Sequence, residues 1–146
     1  MIYISNNLFL FPVSSDFNDN NPIIGYSSVL RPEDITAPVS FPSRPASNAW
    51  SPDTSVAFVG AGLPGNATQY LVLHNVNNEP VDYIGIAKHN FGSSGREIVI
   101  QESNDGVTWT NVSPPQSPTD DAAIFNYFDE RTTTFFRIDM DDTAVS

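Results

Sequence analysis

The chain contains two histidines, and histidine is the side chain best suited to proton transfer near neutral pH. His74 lies inside an alternating, strand-like segment, so we expect it to be structural. His89 lies at the end of an apolar segment and beside a Gly/Ser-rich loop, where it could contact a ligand or, more commonly, hold the loop by a hydrogen bond. The sequence has no Gly-x-Ser-x-Gly turn, no metal-spaced histidine pair, no phosphate-binding loop and no cysteine. We therefore predict that the protein is not an enzyme.

Carboxylates are the other side chains that could do chemistry. Several aspartates lie in segments predicted to be loops: Asp16, Asp19, Asp120, Asp121, Asp141 and Asp142. Ca²⁺ accepts hard oxygen ligands of this kind, but the spacing does not match an EF-hand, and loop aspartates are commonly solvated without a metal. Asp120 and Asp121 are the predicted ligands if a structural Ca²⁺ is bound, and no other cofactor is expected.

The charge of the chain restricts its partners. Its 146 residues suit one globular domain, with 17 acidic and 6 basic residues and a net charge of -11. The basic residues are dispersed, so no cluster could follow a phosphate backbone or an anionic membrane.

The apolar segment at 8–13 is too short for a signal peptide or a membrane span. We predict neither nucleic-acid binding nor membrane insertion, and we attribute the acidity to solubility.

Short runs of β-branched and aromatic residues predict an all-β domain. In residues 69–76, Leu71 and Leu73 alternate with more polar positions, which indicates a half-buried strand. Residues 81–87 are nearly all apolar, which predicts a central strand. Between Arg31 and Pro52 five prolines exclude a long regular element, so the loops are long and Pro-rich. Further strands are predicted within residues 1–13, 23–30, 55–59, 122–128 and 132–138.

Residues 97–112 predict a hairpin. Asn104, Asp105 and Gly106 favour a tight turn between two β-prone runs. On the return strand Val107 and Trp109 would share one face, and we expect Trp109 to be buried in the core.

At this point the chain resembles a known family. Five segments occur in the order seen in discoidin, or coagulation-factor type C, domains: Ala46–Trp50, Gln69–Leu71, Val81–Ile86, Ser103–Trp109 and Phe136–Ile138. The likeness covers roughly residues 45–139 and implies a galactose-binding-like fold, an all-β jelly-roll β-sandwich. Trp50–Thr54 and Tyr83–Asn90 also look like discoidin-like proteins encoded among bacteriophage tail genes.

The chain departs from the discoidin pattern in two ways. Many extracellular members have a disulfide that joins their ends, and this chain has no cysteine. The family usually closes its sheet with a strand after the Arg-Ile strand, but only residues 140–146 remain here. Either the first strand takes that edge, or the chain is a fragment, or a neighbouring segment completes the sheet, since an uncovered edge can pair with another chain.

The resemblance implies ligand binding through loops at one end of the sandwich. Sugar sites combine an aromatic surface with a few convergent polar groups. The candidate glycan-binding residues are therefore Trp50, His89, Asn90 and Arg96. Trp50 has an alternative role, because next to Pro52 it could simply cover the core.

These observations predict residues 1–44 to be N-terminal strands with an extended docking segment, and residues 45–146 to be the discoidin-like sandwich, within one compact unit overall. The main functional prediction is a non-enzymatic bacteriophage virion protein, associated with the tail and assembled in the host cytoplasm. Its partners would be other virion proteins, or copies of itself in an oligomer or ring, and host glycans as a further possibility. The alternative is a carbohydrate-binding module of a bacterial protein.

Overall fold

The computed structural model describes residues 2–5, 28–51, 57–59 and 69–141. Within these residues the chain forms eight strands: β1 (Ile2–Ser5), β2 (Ile35–Thr36), β3 (Gln69–His74), β4 (Val81–Ile86), β5 (Glu97–Ser103), β6 (Thr110–Asn111), β7 (Ile124–Arg131) and β8 (Phe135–Asp141). Two short 3-10 helices, Pro32–Asp34 and Ala46–Ala49, lie between β1 and β3. The described residues include no helix that is long and apolar enough to cross a membrane.

The strands form two antiparallel sheets. One has three strands in the order β1-β4-β7, and the other has five in the order β2-β3-β8-β5-β6. β4 is central in the smaller sheet, as its apolar sequence predicts, and all six of its residues are buried. β8 is central in the larger sheet, where Ile138 pairs with Leu71 on one side and with Ile100 on the other.

The core lies between the two sheets. Leu71 and Leu73 of β3 are buried, whereas the alternate residues of that strand are only partly buried, as the period-two pattern predicts. The remaining buried apolar side chains of the strands are Ile2, Ile4, Ile35, Val81, Ile84, Ile86, Ile98, Ile100, Phe136, Ile138 and Met140. The predicted all-β sandwich is therefore confirmed.

The N-terminal part of the chain belongs to both sheets. β1 occupies an edge of the smaller sheet, where Ile4 pairs with Ile84, and β2 pairs with β3 in the larger sheet. Leu30 and Ile35 are buried in the core. The sequence also predicts strands within residues 1–13, 23–30 and 55–59. Of these, residues 28–30 and 57–59 are described and do not form strands. Residues 6–13, 23–27 and 55–56 lie outside the described ranges. Docking of residues 1–44 on a partner stays a prediction.

The hairpin of residues 97–112 differs from its prediction. Its return strand is only Thr110–Asn111, and residues 104–108 form a loop, whereas the sequence predicts a tight turn at residues 104–106 with a return strand from Val107. Val107 is 80% exposed. Trp109 is half-buried on the outer face of the larger sheet, with the Arg137 guanidinium 4.4 Å from its ring centroid. The prediction that Trp109 lies in the core was therefore wrong.

The return strand is short because the loop of residues 104–108 is held by its own hydrogen bonds. The Ser103 hydroxyl accepts the N–H groups of Asp105 and Gly106 and donates to the Asp105 carboxylate. That carboxylate accepts the N–H groups of Val107 and Thr108, and these bonds, with the bond from Ser103, hold the pKa of Asp105 well below its ordinary value. Gly106 has φ +71° and supplies the left-handed turn. Because the side chains of Ser103 and Asp105 satisfy these N–H groups, residues 104–108 do not need a partner strand.

The position of Trp109 gives a stability prediction. Trp109→Ala should lower the free energy of unfolding by about 1–2 kcal/mol, because it removes a partly exposed ring and its cation–π contact but leaves no core cavity. Denaturant titration measures this loss, with Val107→Ala of the same loop as a control that changes stability by less than about 0.5 kcal/mol. A loss of roughly 3–5 kcal/mol, typical of a buried tryptophan, would contradict the outer-face position.

Candidate functional site

A cavity of about 500 Å³ lies at the end of the sandwich where β4 and β8 finish and where β1, β3 and β5 begin. We call it the end cavity. Its floor consists of apolar side chains from the two sheets, namely Ile2, Leu71, Ile86, Ile138 and Met140. Its walls come from two loop regions and from the start of β3: Asn48, Ala49, Ser51, Ala57, Phe58, Val59, Gln69, Ala87, Lys88, His89, Asn90, Phe91, Ser94 and Arg96. The end cavity therefore combines an apolar base with a polar rim, a combination that binds small organic ligands.

The connection from β4 to β5 forms much of the rim. Residues 90–95 fold into a compact turn in which the Asn90 carbonyl accepts the N–H and the hydroxyl of Ser94, at 2.9 and 2.6 Å. The Arg96 N–H donates to the Phe91 carbonyl at 2.9 Å and closes the turn before β5 begins. The loop is thus held by its own backbone, so the side chains it presents are preorganised.

His89 fixes this loop to the rest of the sandwich. Its Nε2 lies 2.7 Å from the Ala122 carbonyl oxygen, and its Nδ1 accepts the Phe91 N–H at 3.3 Å. Because a carbonyl can only accept, the proton must be on Nε2, which leaves Nδ1 as the acceptor. The ring also stacks on Phe91, with the centroids 4.7 Å apart. Both ring nitrogens are therefore used in holding the loop, and the exposed part of the ring contributes to the cavity wall.

A second loop packs directly behind the first. A Cβ atom on Gly92 would lie 2.1 Å from the Asp120 carbonyl oxygen, so only glycine fits at this contact. The Asp121 carboxylate accepts the Ser93 N–H at 2.9 Å, and hydrogen bonds from the backbone and side chain of Ser93 hold its pKa below the ordinary value. The Asp120 carboxylate accepts the Ala122 N–H at 2.9 Å.

The predicted calcium ligands are thus engaged in loop structure. Asp120 and Asp121 both accept backbone N–H groups, which are donors that compete with a cation for the same oxygens. Within the described ranges, no group of three or more His, Asp or Glu side chains is arranged to hold a metal ion. One oxygen of each carboxylate is thus already bonded to the backbone, and calcium binding at Asp120 and Asp121 stays a prediction.

Trp50 lies next to the end cavity and not in its described lining. It follows the 3-10 helix Ala46–Ala49, and its Nε1–H donates to the Leu30 carbonyl at 3.0 Å. Its neighbours Ala49 and Ser51 do line the cavity. The structure therefore brings together His89, Asn90 and Arg96 of the predicted site, while Trp50 holds the helix against the N-terminal segment.

The aromatic side chains of the cavity were missed by sequence reasoning. Phe58 and Phe91 line it, and both are partly buried against the core. The sequence contains one signal for Phe91, since it directly follows His89 and Asn90 at the start of the Gly/Ser loop. Phe58 lies in an isolated apolar run that predicts a strand, and its position at the cavity depends on how that run packs.

Comparison with known proteins identifies the fold. No protein-family model matches the chain, and no curated protein matches its sequence. The solved structure of chitosan-binding module 1 from the chitosanase/glucanase of Paenibacillus sp. IK-5 matches with a TM-score of 0.63 and 20% identity, over 80% of this chain and 87% of that one. A CBM32 module from Clostridium perfringens, in complex with GalNAc-β-1,3-galactose, matches with a TM-score of 0.63 and 12% identity, over 77% and 88%.

A third solved structure is the CBM32 module of AlyQ in complex with 4,5-unsaturated mannuronic acid. Its TM-score is 0.57 and its identity 18%, over 73% of this chain and 80% of that one. At these identities the likeness establishes the fold. The chain has the galactose-binding-like β-sandwich fold of carbohydrate-binding modules, as the resemblance to discoidin domains implies.

Proposed function

We propose that this chain is a non-catalytic carbohydrate-binding module that binds a glycan in the end cavity. The cavity itself carries the proposal. It places Phe58 and Phe91 beside polar groups of Asn48, Asn90 and Ser94, within about 500 Å³. An apolar or aromatic surface can accept the C–H face of a sugar ring while amide and hydroxyl groups hydrogen-bond its hydroxyls.

The structural relatives support this choice over the virion prediction. One is a chitosan-binding module, and two are in complex with a disaccharide or a sugar acid. Modules of this fold also occur next to enzyme domains, as in the AlyQ structure that contains an alginate lyase domain. None of these named relatives is described as a virion protein. A role in a bacteriophage tail, assembly with virion proteins or into a ring, and location in a virion stay predictions that rest on the sequence resemblance alone.

The test is a glycan array followed by titration calorimetry of the sugars that bind. We expect His89→Ala, which detaches the loop from Ala122, and Asn90→Ala, which removes an exposed rim side chain, to weaken binding by about tenfold or more, the equivalent of roughly 1.4 kcal/mol. Phe125→Ala is the control, because Phe125 is 54% exposed on β7 and does not line the cavity. Circular dichroism confirms that each variant is folded.

The proposal fails if the array shows no carbohydrate binding, or if folded His89→Ala and Asn90→Ala variants both keep the wild-type affinity. Trp50→Ala adds a separate comparison. Since Trp50 lies outside the described lining, we expect its loss to affect binding less than the loss of Asn90.

A further inference from the structure

We propose, resting on the carbohydrate-binding function inferred above, that His89 is a positioning residue whose protonation state controls the glycan affinity of the end cavity. Its neutral ring, with the proton on Nε2, holds the loop of residues 90–95 in the arrangement that binds the glycan. A second proton on the ring breaks one of the contacts that hold this loop. The affinity for a glycan therefore falls when the solution is acidified.

Both ring nitrogens of His89 have partners, and the two partners are of opposite kinds. Nε2 lies 2.7 Å from the Ala122 carbonyl oxygen, which can only accept a hydrogen bond. Nδ1 lies 3.3 Å from the Phe91 nitrogen, whose N–H can only donate. One proton on the ring satisfies both contacts, whereas a second proton, on Nδ1, would face the Phe91 N–H. Protonation of His89 therefore keeps the bond to Ala122 and breaks the bond from Phe91.

The contact that would break lies in the wall of the end cavity. His89, Asn90 and Phe91 all line the cavity, and the His89 ring stacks on the Phe91 ring with the centroids 4.7 Å apart. Two N–H groups that face each other repel, so Phe91 must move away from a protonated ring. The Phe91 carbonyl also accepts the Arg96 N–H that closes the turn, so this movement would disturb the loop at both of its ends. Phe91 and Asn90 are two of the groups proposed above to hold the sugar.

Charged groups lie on both sides of the His89 ring. They are Lys88 and Arg96 of its own connection, and Asp120 and Asp121 of the loop that carries Ala122. The pKa of Asp121 is held below its ordinary value chiefly by hydrogen bonds from Ser93, and further by the positive charge of His89. Asp121 thus stays ionised at about pH 6.5, where histidine side chains ordinarily take up a second proton. Its negative charge favours that uptake, and the charge of Lys88 opposes it.

The first measurement is NMR spectroscopy of the isotope-labelled full chain without ligand, in EDTA so that no metal ion takes part. Spectra at about pH 8 and about pH 5.5 lie on either side of the ordinary titration of histidine. The ring nitrogen shifts should show a proton on Nε2 alone at the higher pH. The hydrogen-exchange protection factor of the Phe91 N–H should fall about fivefold or more on acidification. The Val112 N–H, which donates to the Ile100 carbonyl at 2.8 Å, should keep its protection factor.

The second measurement is titration calorimetry, under the same two conditions, with a sugar identified on the glycan array. We expect the affinity to be about tenfold weaker at the lower pH. Because the binding arrangement requires the neutral ring, binding at the lower pH should also release about one proton. Calorimetry in buffers of different ionisation enthalpy detects that release.

His89→Asn separates positioning from direct contact with the sugar. An asparagine oxygen commonly accepts the N–H two residues further on, here the Phe91 N–H, and asparagine does not titrate. His89→Asn should therefore keep more affinity than His89→Ala, and its affinity should be the same at both pH values. His74→Gln is the matched control, because His74 is the other histidine of the chain and does not belong to the described lining of the cavity. It should keep the pH dependence of the wild type.

Other results would overturn the proposal in distinguishable ways. If Phe91 protection or wild-type affinity is the same at both pH values, protonation of His89 has no such role, but carbohydrate binding stands. If His89→Asn binds as weakly as His89→Ala while the Phe91 N–H stays protected, His89 contacts the sugar directly. A pH dependence that survives in His89→Asn, or disappears in His74→Gln, belongs to another group. If no sugar binds at either pH, this inference and the proposed function both fail.

Discussion

Replacing Asn75 with alanine is expected to lower the free energy of unfolding by about 3 kcal/mol, because a buried side chain would lose its three hydrogen bonds together. Asn75 is 1% exposed. Its Nδ2 donates to the carbonyl oxygens of Glu79 and Thr133, at 2.7 and 3.0 Å, and its Oδ1 accepts the Glu79 N–H at 3.0 Å. One side chain thus joins the turn between β3 and β4 to the turn between β7 and β8.

The size of the effect comes from what the substitution leaves behind. Alanine cannot replace any of the three bonds, so one N–H and two carbonyl groups lose a partner in a part-buried site. Asn75→Asp keeps the acceptor but places a carboxylate oxygen against two carbonyl oxygens, so it should be at least as destabilising as alanine. Urea titration with fluorescence detection measures both variants.

The control for Asn75 lies two residues further on. Asn77 is exposed in the same turn, and Asn77→Ala should change stability by less than about 0.5 kcal/mol. If Asn75→Ala cost less than about 1 kcal/mol, the hydrogen bonds of Asn75 would not be what holds this end of the sandwich together.

Replacing Gly92 with alanine is expected to push the loop of residues 90–95, which forms part of the wall of the end cavity, away from the loop of residues 120–122 behind it. The added Cβ would lie 2.1 Å from the Asp120 carbonyl oxygen and 2.4 Å from the Asp120 nitrogen, so backbone must move. Overpacking of this kind costs about 1–3 kcal/mol, and we expect the upper part of that range because both contacting groups are main chain. The movement should also weaken the bond from Ser93 to Asp121.

The Gly92→Ala variant should therefore lose both stability and glycan affinity. Thermal unfolding and calorimetry with a sugar identified on the array measure the two losses. Ser93→Ala is the matched control, since it adds no atom at the contact and keeps the backbone N–H that Asp121 accepts, and it should cost less than about 1 kcal/mol. A Gly92→Ala protein with wild-type stability and affinity would show that the two loops are not in close contact.

The sequence was sufficient for those features that depend on neighbouring residues. The alternation of Leu71 and Leu73 with polar positions predicts which face of β3 is buried, because a strand has a period of two. The continuous apolar run at 81–86 predicts a central strand, because both of its faces must be covered. The ordered discoidin-like segments predict the galactose-binding-like sandwich, and three of the predicted site residues line one cavity.

Other features depend on groups that are far apart in the chain. Trp109 belongs on the outer face because Arg137, on another strand, offers it a cation, and because the side chains of Ser103 and Asp105 take up the N–H groups that a hairpin would pair. Trp50 donates to Leu30, 20 positions earlier, and it does not belong to the described lining of the cavity. Periodicity records which side of a strand is apolar, but it holds no information about which distant partner a side chain meets.

The end cavity likewise has features that neighbouring residues determine and features that only the tertiary structure determines. Composition and motifs determine that this chain is an acidic all-β domain with a polar loop after β4, because these are properties of residue types and of their local order. Phe58, Phe91, Lys88 and Arg96 come together around one space only because β4 and β8 finish, and β1, β3 and β5 begin, at the same side of the sandwich. Strand pairing places those ends together, and pairing is set by contacts between segments that are remote in sequence.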